Sequence, residues 1–425
     1  MKTARQLCLL ALNRMEDGGG YSNIVLNSLL EKSELSREDR AFASRLFYGV
    51  LEKKLLLDFN IAPLSKRPVS KLDTDILNIL RMGMYQLLFL ESVPDSAAVN
   101  ESVKLCTFAK KKSATGFVNA LLRAKIRQNK EICLPKDKSV ALSVDKSIYL
   151  LLKEQYGEKR AEEILGSFSS ETPLYIRVNT QKTTVDKLAS DLSKQNIHIE
   201  AVSEIEGCAL ASNIGALSKI REFNDGHFYV QDLASQRCCS ALNAKGAKRI
   251  LDVCAAPGGK SFTLALTAGE KSRVVSCDLY ENRVNLIKSG AERLSLFSIE
   301  PIVNDACLYN EKLGKFDRVL CDVVCSGLGV IGKKPEIRYK NIKADELFEV
   351  QSKILETSSK YLENGGILVY STCTINKMEN EAVVEAFLDK HAEFSLEAQK
   401  TYFPDLDGCD GFFVAKLVKT KDENL

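Results

Sequence analysis

The 425-residue chain has no apolar run near the ~18 residues of a membrane span, so an integral helical membrane protein is not expected. It has no Cys-x-x-Cys pair, and its three histidines, His198, His227 and His391, are scattered, so no metal site is expected either. Near the start, Lys2 and Arg5 precede Leu7-Cys8-Leu9-Leu10-Ala11-Leu12. That run is too short for a secretory core and lacks a small-residue cleavage site, and it reads as an amphipathic helix. Internal repeats and low-complexity tracts are also missing.

Hydrophobic content of 45% and charged content of 27% are ordinary for a globular chain of two or three domains. Thirteen scattered cysteines, an odd number, read as reduced thiols of a cytoplasmic protein rather than a disulfide framework. The net charge of +3 is unevenly spread: residues 1–130 hold 21 Lys+Arg against 13 Asp+Glu, and the remainder holds 38 against 43. A basic first region fits a polyanionic partner, and a solvated helical surface accounts for the same excess equally well.

Residues 1–132 read as all-helical. Ala4, Leu7, Ala11, Leu12 and Met15 follow helical spacing up to Gly18-Gly19-Gly20. Ser36-Arg37-Glu38-Asp39 resembles a capping box, Asp73 or Thr74 can cap an apolar helix, and Pro94-Asp95 and Thr115-Gly116 open two more. Lys110-Lys111-Lys112 falls in a connection, as a phosphate-binding patch or a solvated turn. After a linker around Pro135, residues 139–240 read as a small α+β module: a strand over 173–180, a helix over 185–195 and further strand to Ala211. Residues 241–425 alternate strand and helix, the pattern of a doubly wound parallel sheet in an α/β fold. Candidate strands are 249–254, 273–278, 301–304, 316–322, 366–372 and 412–419.

The first of these strands runs into Cys254-Ala255-Ala256-Pro257-Gly258-Gly259-Lys260. Glycines here let backbone approach a ligand at a helix N-terminus, and Asp278, roughly 20 residues on, stands where an acid binds ribose hydroxyls. The loop matches neither Gly-x-Gly-x-x-Gly nor the nucleoside-triphosphate phosphate loop, and Pro257 removes an amide that a diphosphate cradle needs. A nucleoside cofactor without a diphosphate, such as S-adenosylmethionine, fits better. Asp278, Asp305 and Asp322, at the C-terminal edges of strands, would line the ligand crevice and suit a sulfonium.

Two cysteines sit just past apolar strands, in Asp322-Val323-Val324-Cys325-Ser326-Gly327 and Ser371-Thr372-Cys373-Thr374. Together with Asp252-Val253-Cys254-Ala255-Ala256-Pro257-Gly258-Gly259-Lys260 and Asp410-Gly411-Phe412-Phe413-Val414-Ala415-Lys416, these segments resemble the RNA cytosine-5 methyltransferases of the NOL/NOP/Sun family. Val93-Pro94-Asp95-Ser96-Ala97 and Gly116-Phe117-Val118-Asn119-Ala120-Leu121-Leu122-Arg123 resemble a NusB-like RNA-binding domain. That domain order is similar to the branch of the family acting on bacterial 16S ribosomal RNA.

The resemblance implies a Rossmann-like methyltransferase domain that uses S-adenosylmethionine, with Cys373 as nucleophile and Cys325 assisting breakdown of the adduct. Asp322 would contact the base or the cofactor. The implied partner is 16S ribosomal RNA or a small-subunit assembly intermediate, with transfer RNA as the alternative substrate. A weakened, antitermination-like RNA-binding factor is the non-catalytic alternative. Neither a membrane, a metal nor an oligomer is implied. One departure stands out: the family usually has Asp-Ala-Pro-Cys where this chain has Asp322-Val323-Val324-Cys325, so Val324 frees φ and adds an amide donor. Cys8, Cys106, Cys238, Cys239, Cys277 and Cys321 are expected to be buried hydrophobes.

Overall fold

The computed structural model describes residues 2–18, 20–168 and 173–420, and the chain divides into two compact units. The first comprises Met1–Ser169 with Ile331–Ile342, and the second Ser170–Val330 with Lys343–Leu425. Among the described residues, no helix is long and apolar enough to cross a membrane, and no three His, Cys, Asp or Glu side chains gather as metal ligands.

The first unit is helical. Its opening helix, Ala4–Glu16, starts at a capping box in which Thr3 and Gln6 exchange side-chain-to-amide hydrogen bonds of 3.3 and 3.0 Å. Ser36 caps Arg37–Glu52 and Asp73 caps Thr74–Phe89, each accepting amides of the first turn. Gly18 and Gly20 follow the first helix at positive φ, and Gly19 lies outside the described residues. Leu7, Cys8, Ala11 and Leu12 join Leu46, Phe47, Val50, Ile79 and Leu80 in one buried cluster. Arg81 is buried beneath it, held at 2.7 Å by both Asp58 oxygens and at 2.8 Å by Glu16. Such bidentate pairing is what makes a desolvated guanidinium tolerable.

Residues 331–342 were expected with the 241–425 segment, yet they pack among these helices. Arg338 is fully buried and donates to the Leu142 carbonyl at 3.2 Å, while its own carbonyl accepts the Asp145 amide at 2.7 Å. Tyr339 donates to the Leu51 carbonyl at 2.6 Å.

In the second unit, β1 (Leu174–Val178), β2 (His198–Ala201), β3 (Cys208–Ser212) and β4 (Phe228–Val230) form an antiparallel sheet of order β2-β3-β1-β4. The expected strand to Ala211 is thus two paired strands. A seven-stranded sheet follows, built from β5 (Arg249–Asp252), β6 (Arg273–Asp278), β7 (Ile299–Val303), β8 (Phe316–Asp322), β9 (Leu362–Thr372), β10 (Phe394–Tyr402) and β11 (Phe412–Lys419) in the order β10-β11-β9-β8-β5-β6-β7. The first five are parallel; β11 runs antiparallel to both β9 and β10. Val319, Leu320 and Cys321 are all buried, as a central parallel strand covered on both faces requires. β10 was missed because it is an edge strand: most of Phe394–Tyr402 is exposed, so no apolar alternation marks it. Strands β6 and β7 run outward on one side of β5 and β8 and β9 on the other, so the strand order reverses between β5 and β8. In an open α/β sheet the ligand crevice lies there, past the C-terminal strand ends.

Candidate active site

β5 delivers the glycine loop to that edge. Gly258 has φ of 111°, in the left-handed region, and a Cβ there would strike the Phe262 ring. The helix Gly259–Ala268 starts immediately after it. The Ala256–Pro257 peptide is cis. The loop is pinned to the end of β6: Ala255 N–H donates to the Cys277 carbonyl at 2.7 Å and Ala256 N–H to Asp278 Oδ2 at 3.2 Å. Asp278 is buried and also pairs with Arg283 at 3.4 Å. Asp305, just past β7, accepts the Cys307 amide at 2.9 Å.

Asp322 ends β8 and accepts from Lys260 Nζ and Ser371 Oγ, each at 2.7 Å. Burial opposes the charge of Lys260, but Asp322 outweighs it and holds the ammonium above its ordinary value. The same Nζ lies 5.1 Å from the centre of the Phe412 ring. Lys260, expected as part of the cofactor loop, is therefore also the counter-ion of Asp322. Asp252 is buried at the end of β5, with one oxygen bonded to Ser261 at 2.7 Å and Oδ1 without a protein partner. Burial pushes its pKa up to about 7. An orphaned carboxylate oxygen with further acids along the same edge is a setting rich in acceptors, which suits a ligand bearing a positive centre and hydroxyl groups.

The two thiols meet. β8 and β9 are adjacent and parallel with Asp322 opposite Ser371, so the loops that follow leave the same edge side by side. Cys325 Sγ and Cys373 Sγ lie 3.2 Å apart, both partly buried. The hydrogen bond with Cys373, followed by burial, pushes the Cys325 thiol well above its ordinary value. At that distance the two sulfurs can share a hydrogen bond, and either thiol can be its donor. Cys8, Cys106, Cys238, Cys239, Cys277 and Cys321 are all buried, and burial pushes Cys277 and Cys321 up to about 12.

Sequence reasoning passed over three features here. Glu379 is fully buried and accepts from the Ser326 amide and hydroxyl at 2.7 and 2.5 Å, from Asn376 at 2.9 Å and from Gln351 at 3.1 Å. Gly329 and Gly411 are in backbone contact: a Cβ on either would strike the other, Gly411 N–H donates to the Gly329 carbonyl at 2.9 Å, and Gly329 N–H donates to the Cys373 carbonyl at 3.0 Å. Asn380 bridges Thr372 Oγ1 at 2.6 Å and the Thr374 carbonyl at 3.0 Å. The available signal was the polar cluster Asn376, Glu379 and Asn380 between an apolar strand and the apolar helix Glu381–Leu388.

Two basic positions bear on RNA contacts. Arg177, in β1, is buried and bonds Gln236 at 3.4 Å. Lys111 is engaged by Asp73 at 2.6 Å and Asp75 at 3.7 Å, which leaves Lys110 and Lys112 as the more available members of that run.

Residues 239–418 match the family model described as 16S rRNA methyltransferase RsmB/F, residues 2–127 the NusB family, and residues 148–214 a ferredoxin-like domain of RsmF/B-like methyltransferases. The chain is 33% identical over 443 residues to a probable ribosomal RNA small subunit methyltransferase B of Bacillus subtilis, covering 98% of this chain and 99% of that protein. Its fold is similar to the crystal structure of PH0851, with a TM-score of 0.83, 23% identity and 99% of each chain covered. It is also similar to NSun6 from Pyrococcus horikoshii, solved with SFG, an S-adenosylmethionine analogue. That match has a TM-score of 0.60 and 22% identity, and covers 65% of this chain and 99% of NSun6.

Proposed function

The chain belongs to the RsmB/F family of 16S rRNA methyltransferases, and from that membership we propose that it methylates carbon 5 of a cytosine in 16S ribosomal RNA through a transient cysteine–cytosine bond. The observation that carries this reading is the 3.2 Å approach of Cys325 and Cys373 at the sheet edge that also holds the glycine loop and the acids.

Carbon 5 of cytosine is a weak nucleophile. Addition of the Cys373 thiolate to carbon 6 moves ring electrons towards carbon 5 and divides one hard step into two easier ones. A free thiol of pKa near 8.5 is only a few per cent ionised at neutral pH, so the site must stabilise the Cys373 thiolate, and Cys325 lies within hydrogen-bond reach of that sulfur. After transfer, the carbon 5 proton must leave before Cys373 can depart. Cys325, 3.2 Å from Cys373, is placed beside the adduct where a group that accepts that proton is needed.

S-adenosylmethionine, held by the loop Cys254–Lys260 with Asp252, Asp278, Asp305 and Asp322, would supply the electrophilic methyl group. The orphaned Asp252 oxygen and this acid-rich edge fit its sulfonium and ribose, and a similar fold solved with an analogue of that cofactor supports the choice. The target edge of a cytosine is hidden in a stack, so the base must be unpaired or flipped at a cost of a few kcal/mol. The basic segment 1–132 and the module 139–240 would bind and position the RNA backbone. The three segments therefore act in this reading as an RNA-binding helical domain, an RNA-binding module and the methyltransferase domain at 241–425.

The test is methylation of 16S RNA, and of a partly assembled small subunit, by the purified protein with S-adenosylmethionine, mapped by bisulfite sequencing beside transfer RNA. One cytosine in 16S RNA should resist conversion; protection only in transfer RNA, or nowhere, overturns the reading.

A further inference from the structure

We propose that Glu379 is the positioning residue that sets the spacing of the two thiols, acting as a buried carboxyl clamp between their loops. The role rests on the covalent reading above, but the spacing itself can be measured without RNA.

The geometry is specific to that task. Glu379 is fully buried, and its carboxylate is met by neutral donors from three elements: Ser326 beside Cys325, Asn376 beyond Cys373, and Gln351 in the helix Ala344–Ser359. Gln351 also donates to the Val324 carbonyl at 2.9 Å, so both residues flanking Cys325 are held from one point. Ser326 Oγ in turn lies 2.8 Å from Thr374 Oγ1, next to Cys373. The Glu379 backbone is itself anchored, its carbonyl accepting from the buried Tyr370 hydroxyl at 2.6 Å. A desolvated carboxylate costs stability unless each oxygen is satisfied, so the site tolerates Glu379 only while the Ser326 loop is in place. The dependence runs both ways: the carboxylate's hold on Ser326 fixes Cys325 from one side, as Gln351 does from the other through the Val324 carbonyl.

The clamp makes a prediction distinct from simple core support. In Glu379→Gln one oxygen becomes an NH2 facing a donor, so at least one bond to Ser326, Gln351 or Asn376 is lost while shape is kept. The free protein is treated with diamide: each Cys325–Cys373 disulfide gives two electrons and two protons to the azo bond, and the linked peptides are quantified by mass spectrometry. The wild type should crosslink readily. Glu379→Gln should crosslink about tenfold more slowly, the ratio for the loss of one buried hydrogen bond, with far-UV circular dichroism retained. With 16S RNA and S-adenosylmethionine the same variant should accumulate a denaturant-resistant protein–RNA adduct, because a displaced Cys325 no longer assists release.

Ser326→Ala removes only the hydroxyl, keeps the carboxylate and its remaining donors, and should slow crosslinking in the same direction; it decides the matter if Glu379→Gln does not fold. Wild-type crosslinking in Ser326→Ala, or in a folded Glu379→Gln, overturns the proposal. Slow crosslinking without any adduct upholds the clamp and sinks the covalent reading instead.

Discussion

The loop that carries Cys373 and the loop that carries Cys325 leave neighbouring parallel strands, yet they are built differently. Around Cys373 the residues Ser371, Thr372, Thr374, Ile375 and Asn376 are all fully buried, and Asn380 ties Thr372 to Thr374. Around Cys325, Val324 is 52% exposed, and the loop is held from outside by Gln351, Glu379 and the Gly329–Gly411 contact. In the proposed mechanism Cys373 must meet its target carbon within a fraction of an ångström, which a buried, internally bonded loop would secure. Cys325 would act at another stage, and its loop borrows rigidity from elements distant in sequence. Identical side chains thus come with unlike supports.

The contrast can be broken at four places, from the largest effect to the smallest. Cys373→Ala should cut methyl transfer on the order of a thousandfold or more, since it removes the proposed nucleophile. Equilibrium binding of S-adenosylmethionine to that variant should be unchanged, and retained turnover would move the nucleophile elsewhere. Cys325→Ala should lower turnover about a hundredfold, the scale of one acid–base group, while a protein–RNA adduct survives denaturing electrophoresis. A clean gel counts against its part in release. Gly329→Ala drives a methyl group into the Gly411 backbone and should cost roughly 1–3 kcal/mol, read as a lower denaturation midpoint together with slower turnover. Val324→Pro should matter least. The carbonyl that Gln351 holds is kept and the side chain is half in solvent, so turnover within about twofold of wild type is expected, with up to about 1 kcal/mol gained if φ is compatible. A large gain in turnover would instead mean that valine has weakened this loop.

Much of this was readable in the chain because it depends on local periodicity. Phe316–Asp322 and Phe412–Lys419 were bounded correctly because each holds a short apolar stretch, Val319-Leu320-Cys321 and Phe412-Phe413-Val414-Ala415, and capping is a short-range bond, so Ser36 was legible as a cap and the choice of Asp73 or Thr74 narrowed to Asp73. Phe394–Tyr402 was missed because an exposed edge strand needs no apolar signal. Residues 331–342 could not be assigned to the helical unit, since what holds them there is the burial of Arg338 and Tyr339 against residues near positions 51 and 142.

The amino-acid order by itself determined the alternation of strands and helices, the glycine loop, the acids at the strand ends and the two cysteines, all carried by neighbours within a few positions. Only the tertiary structure decided that the thiols touch, that Lys260 neutralises Asp322 and that Glu379 clamps the Cys325 loop. Those facts arise where residues 48 to 62 positions apart are desolvated together, and hydrogen bonds and charges then count for far more than they do in water.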